Sequence, residues 1–156
     1  MNRATFPSIM ANHSVPEDDS MHWADKTARK VVEEFGDLPE YTCASGITPS
    51  GVVHIGNFRE IITADLVARG LRSLGKKVRH IYSWDNFDAF RKVPANMPQQ
   101  EMLKSYLRQP VSDIPDPFGT AVSYAAHHQM PVEQAMPRVG IHPVFFNQSE
   151  MYRSGA

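Results

Sequence analysis

The segment Thr48-Pro49-Ser50-Gly51-Val52-Val53-His54-Ile55-Gly56-Asn57 constrains this chain more than any other. It follows a short apolar run, Tyr41 to Ala44, and precedes an amphipathic pattern. A Pro- and Gly-rich turn between a buried strand and a helix is how parallel α/β folds build a phosphate site. The turn delivers His54 and Asn57 to a helix N-terminus, where unpaired N–H groups and the helix dipole favour an anion. A donor at His54, no side chain at Gly56 and an amide at Asn57 suit ATP. On His-x-Gly alone a purely structural reading is preferred, with His54 capping the helix. The full ten-residue string reverses that preference.

The flanks supply the neighbouring elements. Ser20 can cap a helix that starts near Met21 and carries Trp23, Ala24, Thr27, Ala28, Val31, Val32 and Phe35 at helical spacing, with Gly36 as its stop. Residues 41–46 suit a buried strand. From Asn57 to Leu74 an apolar face recurs, ending at Gly75, and Val78 to Trp84 reads as a second strand. Strand, turn, helix, strand predicts a βαβ unit in an α/β fold with a parallel sheet and a right-handed crossover.

Residues 85–98 read as a polar loop and 99–108 as a helix. A helical pattern resumes near Ser123. Pro131 and Pro137 each remove an amide and clash with the preceding turn, so a broken or shifted helix is expected there. Ile141 to Phe146 reads as a third strand. Residues 1–19 lack periodicity and read as a flexible leader.

A chain of 156 residues can hold one domain with a real core. Its net charge of −1 gives no bulk pull toward nucleic acid, so an RNA partner must meet a local patch. The single cysteine, Cys43, cannot form an internal disulfide and reads as a structural thiol. No apolar run approaches a membrane span or a signal peptide, so a cytoplasmic location without a membrane partner is expected.

Three groups of residues could carry chemistry. In the turn, Gly46, Gly51 and Gly56 permit unusual backbone geometry and close ligand approach, with hydroxyls at Thr48 and Ser50 beside them. Donors at His54 and Asn57 would meet charge growing on an α-phosphate under attack, an effect commonly worth about 3–4 kcal/mol. The second group, Trp84 to Pro94, lies just past the second strand, where open α/β sheets bind ligands. Its two carboxylates and two cations could hold an ammonium group and a phosphate, or form a solvated loop with internal salt bridges. The third is His80, His127, His128 and His142, which read as surface or helix-face residues because their spacing does not suit zinc.

Four blocks together resemble the class I lysyl-tRNA synthetases. They are Ala44 to Glu60, with His54-Ile55-Gly56-Asn57 in place of "HIGH"; Trp84-Asp85…Asp88…Arg91-Lys92-Val93-Pro94; Ser112 to Gly119; and Glu150 to Gly155. The resemblance implies an incomplete Rossmann-like (HUP-type) nucleotide-binding domain over 20–156, the N-terminal half of the catalytic domain. It implies ATP-dependent activation of lysine, with Mg2+, and transfer to tRNA(Lys). His54 and Asn57 would be catalytic. Pro49, Ser50, Gly51, His54, Gly56 and Asn57 would bind ATP, with Gly56 under the adenosine. Gly46 and Thr48 would lie beside the amino acid, and Glu60 and Asp85 would meet the lysine ammonium group, since a buried ammonium needs a carboxylate.

Some departures from the family accompany these matches. Some members bind zinc in the Pro-Asp-Pro segment, but here Asp116 and His127 are joined by Thr120 and Ala121 at the Cys and His positions, so no zinc is expected. Asn86 and Phe87 stand where the family often has Asp and Tyr. The family's second half, with its "KMSKS" loop and anticodon-binding domain, has no counterpart in these residues, so the chain alone is expected to be inactive or nearly so. Two other readings remain open: a small nucleotidyltransferase of the HIGH-motif superfamily, and a non-catalytic nucleotide-binding paralogue.

Overall fold

A computed structural model describes residues 20–155. The expected leader, residues 1–19, lies outside the described residues. In chain order the elements are α1 (Trp23–Phe35), β1 (Tyr41–Ile47), α2 (Ile55–Ser73), β2 (Val78–Trp84), α3 (Gln100–Ser105), α4 (Tyr124–Ala135), β3 (Val144–Asn147) and α5 (Gln148–Ser154). Short 3-10 turns cover Val111–Asp113 and Met136–Val139. The three strands pair in the order β1-β2-β3, all parallel, as an α/β fold with a partial Rossmann-like sheet.

Strand alternation and register divide the side chains between two faces. Tyr41, His80, Tyr82 and Trp84 are buried on one face. There Tyr82 and Trp84 pack with Ile61 of α2, Val132 of α4, and Met136 and Ile141 of the connection to β3. Tyr82 and Trp84 meet edge to face at 4.9 Å, and Trp84 donates its indole N–H to Glu133 at 2.8 Å. The helix α1 packs on α2 through Ala28 and Leu71. Gly70 is required here for a steric reason: a Cβ would lie 2.9 Å from Ala28 Cβ and 3.1 Å from the Ala24 carbonyl.

Several expectations from the sequence need correction. The α1 cap is His22, whose Nδ1 accepts from the Ala24 amide at 3.3 Å, not Ser20. The segment 85–98 is not simply polar. Its Phe90 and Met97 enter a second core with Leu103, Val111, Ile114 and Tyr124. The crossover from β2 to β3 thus carries its own apolar centre, tied by the Ala89–Pro110 bridge. Ser123 caps α4 through the Ala126 amide, and α4 runs unbroken through Pro131. Pro131 lies on the exposed side while Tyr124, Ala125, His128 and Val132 anchor the buried side, which keeps the helix intact. Pro137 opens the following 3-10 turn instead of breaking a helix. The third strand is shorter and later than expected, because Ile141 is drawn into the core.

The histidines also differ from a surface reading. His80 and His128 are buried, and the Nε2 of each has no hydrogen-bond partner. Burial lowers the His80 pKa from 6.5, helped by Arg72 and opposed by Asp65, whose carboxylate is 3.7 Å from Nδ1. Burial likewise holds His128 down to about 4, with His127 adding to the shift. Burial raises the thiol pKa of half-buried Cys43, fitting an inert structural residue.

Two predictions follow from this packing. Gly70→Ala gains roughly 1 kcal/mol of helix propensity but overpacks the α1–α2 contact by about 1–3 kcal/mol, so urea unfolding should show a net loss. Because the folded chain holds His80 neutral, the unfolded chain binds more protons as pH drops below about 6.5. Stability is then full above pH 6.5 and falls as pH drops below it. His80→Gln should flatten that dependence in urea titrations at pH 7.5 and 5.5, leaving the share due to His128.

Candidate active site

The C-terminal ends of β1 and β2 are held together past the last strand pair. The Asp85 amide donates to the Ile47 carbonyl at 3.0 Å. Gly46 pairs with Ser83, and a Cβ at Gly46 would lie 2.6 Å from the Ser83 carbonyl oxygen. Only glycine lets the strands approach this closely. The turn after β1 and the loop after β2 therefore leave the sheet side by side.

Two tethers pin the turn from that loop and from α4. Thr48 Oγ1 donates to Asp88 Oδ2 at 2.5 Å. The buried Tyr124 hydroxyl donates to the Ser50 carbonyl at 2.8 Å, and burial pushes its pKa up to about 12. Pro49 is fully buried between them, and the Ser50 amide donates to the Thr48 carbonyl at 2.8 Å.

The turn ends in a reciprocal cap on α2. His54 Nδ1 accepts from the Gly56 amide at 3.1 Å, and the His54 amide donates to Asn57 Oδ1 at 3.3 Å. A Cβ on Gly56 would sit 3.0 Å from the imidazole Nδ1 and Cε1. The capping reading and the ligand reading are therefore compatible. Nδ1 serves the helix, and the Nε2 edge of this exposed ring is left for a ligand. None of Gly46, Gly51 and Gly56 has the left-handed φ that the sequence reading allowed for. Gly46 and Gly56 act through close approach, and Gly51 has open space around it.

The two carboxylates assigned to an ammonium group reach the same region from different elements. Glu60 Oε1 accepts from the Gly46 amide at 2.9 Å. Asp85 Oδ1 accepts from Ser83 Oγ at 2.9 Å and from Gln148 Nε2 at 2.6 Å. Burial raises the Tyr82 pKa, and the negative charges of both Glu60 and Asp85 raise it further. An electronegative patch of that kind suits a cation.

Behind Asp85 a chain of amides joins the strand ends. Asn86 Nδ2 donates to Asn147 Oδ1 at 3.0 Å, Gln129 Nε2 donates to the same oxygen at 2.9 Å, and the Ser149 amide donates to Asn86 Oδ1 at 2.9 Å. Asn86 is needed as an amide, since it donates and accepts at once. Gln148, Asn147 and Tyr124 are absent from the sequence-based set. Asp88 lies within it, but its bond to Thr48 joins residues 40 positions apart and has no local signal.

In the Pro-Asp-Pro segment Asp116 is engaged by its own neighbours. Both carboxylate oxygens of Asp116 are occupied by the amides of Phe118, Thr120 and Ala121 and by the Thr120 hydroxyl. Burial alone would raise this carboxyl, but those donors outweigh it and hold the pKa at about 2. Thr120 Oγ1 also lies 2.9 Å from His127 Nδ1. Among the described residues no three His, Cys, Asp or Glu side chains gather as a metal site. No helix among them is long and apolar enough to cross a membrane.

A parallel sheet, a capped helix at the end of its first strand, and carboxylates at the strand ends make up a partial Rossmann-like α/β domain. The comparisons narrow this. The family model described as tRNA synthetases class I (K) matches residues 21–156, and the chain belongs to that family. It is 55% identical over 138 residues to a lysine–tRNA ligase of Treponema pallidum, covering 88% of this chain and 26% of that protein. To the lysine–tRNA ligase of Borreliella burgdorferi it is 57% identical over 135 residues, covering 86% and 26%. To that of Thermococcus kodakarensis it is 50% identical over 135 residues, covering 86% and 25%. The chain spans about a quarter of the length of the curated relatives it matches.

The Thr48–Asp88 bond gives a direct test of the site's framework. Thr48→Val leaves a half-buried carboxylate without its donor and should cost about 1–3 kcal/mol in urea unfolding. A double-mutant cycle with Asp88→Ala should return a coupling of about 1.5–3 kcal/mol, the range for hydrogen bonds to charged groups.

Proposed function

We propose that residues 20–156 form the N-terminal half of the catalytic domain of a class I lysine–tRNA ligase. In this reading the chain contributes ATP- and lysine-binding residues to a site that activates lysine and transfers it to tRNA(Lys). The observation that carries it is the reciprocal His54–Asn57 cap, which aims an α2 N-terminus and a free imidazole edge at the mouth of the β1–β2 strand ends. ATP, as its Mg2+ complex, places its phosphates against His54, Gly56 and Asn57, with Pro49, Ser50 and Gly51 shaping the approach.

Lysine lies beside Gly46 and Thr48. Its ammonium group faces Glu60 and Asp85, whose position is set by Ser83 and Gln148. As the lysine carboxylate attacks the α-phosphorus, the pyrophosphate leaves and charge grows on the phosphoryl oxygens. Preorganised donors at His54 and Asn57 meet that charge. No step needs zinc, and we assign none. We place the protein in the cytoplasm, as membership of the class I tRNA synthetases implies.

Lysine-dependent ATP–pyrophosphate exchange tests this. The chain alone should show little or no exchange, because it spans about a quarter of the length of the ligases it matches. Joined to the remaining three-quarters of the Treponema pallidum relative, it should exchange, and His54→Ala should reduce the rate by about 10²–10³. Exchange absent from the joined protein sinks the reading. Adenylyl transfer to a small phosphorylated acceptor would favour the nucleotidyltransferase alternative instead.

A further inference from the structure

A polar cavity of about 430 Å³ is lined by residues of α4, α5 and the 3-10 turn Val111–Asp113. Gln129, Glu133, Ser149 and Glu150 stand in its wall. None of the residues assigned above to ATP or lysine borders it, and it shares no wall residue with the openings beside Thr48 and Gly56. Asn86 and Asn147, of the amide chain behind Asp85, form one side of it.

The hydrogen bonds in that wall fix which atoms are left over. A carboxylate only accepts, so Asn147 turns its Nδ2 to Glu150 Oε1, at 3.1 Å. The Asn147 oxygen must then face Asn86 and Gln129, and Gln129 donates to it from Nε2 at 2.9 Å. That leaves the Gln129 carbonyl oxygen without a partner among the described residues, on a residue only 7% exposed. Ser149 is 5% exposed; its amide donates to Asn86, but its hydroxyl meets no partner among the described residues. Glu133 and Glu150 each engage one oxygen with a neutral donor, the Trp84 indole at 2.8 Å and Asn147. Neither carboxylate has an ion-pair partner among the described residues, and Arg153, the cation in the wall, is paired with Asp113. A buried acceptor left unmet costs free energy, so these atoms call for a donor from outside the chain.

We infer that this cavity binds an aliphatic diamine, whose ammonium groups meet Gln129, Glu133, Ser149 and Glu150. The unmet atoms are carboxylate, carbonyl and hydroxyl oxygens, and no protein cation answers the two carboxylates. The fitting ligand therefore brings N–H donors and positive charge together. A metal ion fits less well, because among the described residues no three His, Cys, Asp or Glu side chains gather. The two carboxylates come from different helices, α4 and α5, which suits two separated ammonium groups. Ala126 and Met130 offer apolar surface to the methylene chain between them. The inference does not rest on the ligase reading, whose ATP and lysine residues lie outside this wall.

The test is calorimetric titration of the full 156-residue chain with 1,4-diaminobutane at low salt. One saturable site is expected. Glu133→Gln and Glu150→Gln should each weaken it by about tenfold or more, as loss of a charge-assisted hydrogen bond does. Glutamine keeps an acceptor for Trp84 and for Asn147, so both variants keep the fold. The hexamethylated diamine, which keeps both charges and loses every N–H, needs no variant and should bind the wild-type chain about tenfold more weakly or worse. Glu60→Gln, in the groove at the α2 N-terminus, and Glu33→Gln/Glu34→Gln, on the exposed side of α1, should change the affinity less than twofold. The inference is overturned if the wild-type chain does not bind diaminobutane, if either cavity variant binds it normally, if the methylated diamine binds as tightly, or if either control loses as much. Excess L-lysine, whose carboxylate meets the acidic wall, should leave the diamine bound. Displacement by lysine would assign the cavity to the amino acid and also overturn the inference. The ligase reading is decided by pyrophosphate exchange instead, so the two can fail separately.

Discussion

The close parallel contact between the ends of β1 and β2 governs the rest of the site. Gly46 lies against the Ser83 carbonyl with no room for a Cβ, and one residue further the Asp85 amide closes on Ile47. A wider spacing here would move the turn carrying His54 away from the loop carrying Asp88 and Arg91. It would also break the Thr48–Asp88 bond and take Glu60 off the Gly46 amide. The groove at the α2 N-terminus, the placement of Glu60 and Asp85 and the cavity beside Thr48 and Asp88 all depend on this one approach. In parallel sheets ligands gather at the carboxyl ends of the strands because that is where such loops converge.

The second governing feature is the long crossover between β2 and β3. Its own apolar cluster makes it a rigid cover for the strand ends. Tyr124 joins that cluster to the turn through the Ser50 carbonyl, and Asn86, Gln129 and Asn147 join it to β3. These bonds tie elements far apart in sequence. A buried amide chain of this kind is stable only when every member is satisfied, and Asn86 meets that condition by donating to Asn147 and accepting from the Ser149 amide.

Much of this was legible in the chain itself. Periodicity located β1, α2 and β2 to within about two residues, because strand alternation, capping and glycine stops are local signals. The turn and its cap could be read because His54 and Asn57 are three positions apart. What could not be read is non-local. His80 and His128 are buried by α2, α4 and the sheet, which no spacing rule reveals. The apolar centre of the crossover was hidden among prolines and charges, since Phe90, Met97, Leu103 and Val111 follow neither a strand nor a helix period. The glycines in the turn were recognised as special for backbone freedom and for close ligand approach; at Gly46 and Gly56 the cause is a protein neighbour too near for a Cβ, and at Gly51 the surroundings are open.

The sheet has two unlike faces. Its second face carries Ala44, Ile81, Val144 and Phe146 in one register, with Arg79 over the Phe146 ring at 5.3 Å. Among the described residues no helix lies across it, and Val144 is 49% exposed. A shallow apolar hollow of about 390 Å³ at its end is bordered by Ile81, Phe146, Met151 and Tyr152. Parallel sheets are stable when both faces are covered, since their strands are apolar on both sides. The covered face of this sheet is where α2 packs, beside the groove that Ser45, Ile47, Gly56 and Asn57 line. The bare face adjoins Ser83, Gln148 and Asp85, so whatever packs there presses on the residues that position the carboxylate. Covering that face would therefore do more than bury apolar area. It would also hold Gln148 against Asp85, to which its Nε2 already donates at 2.6 Å.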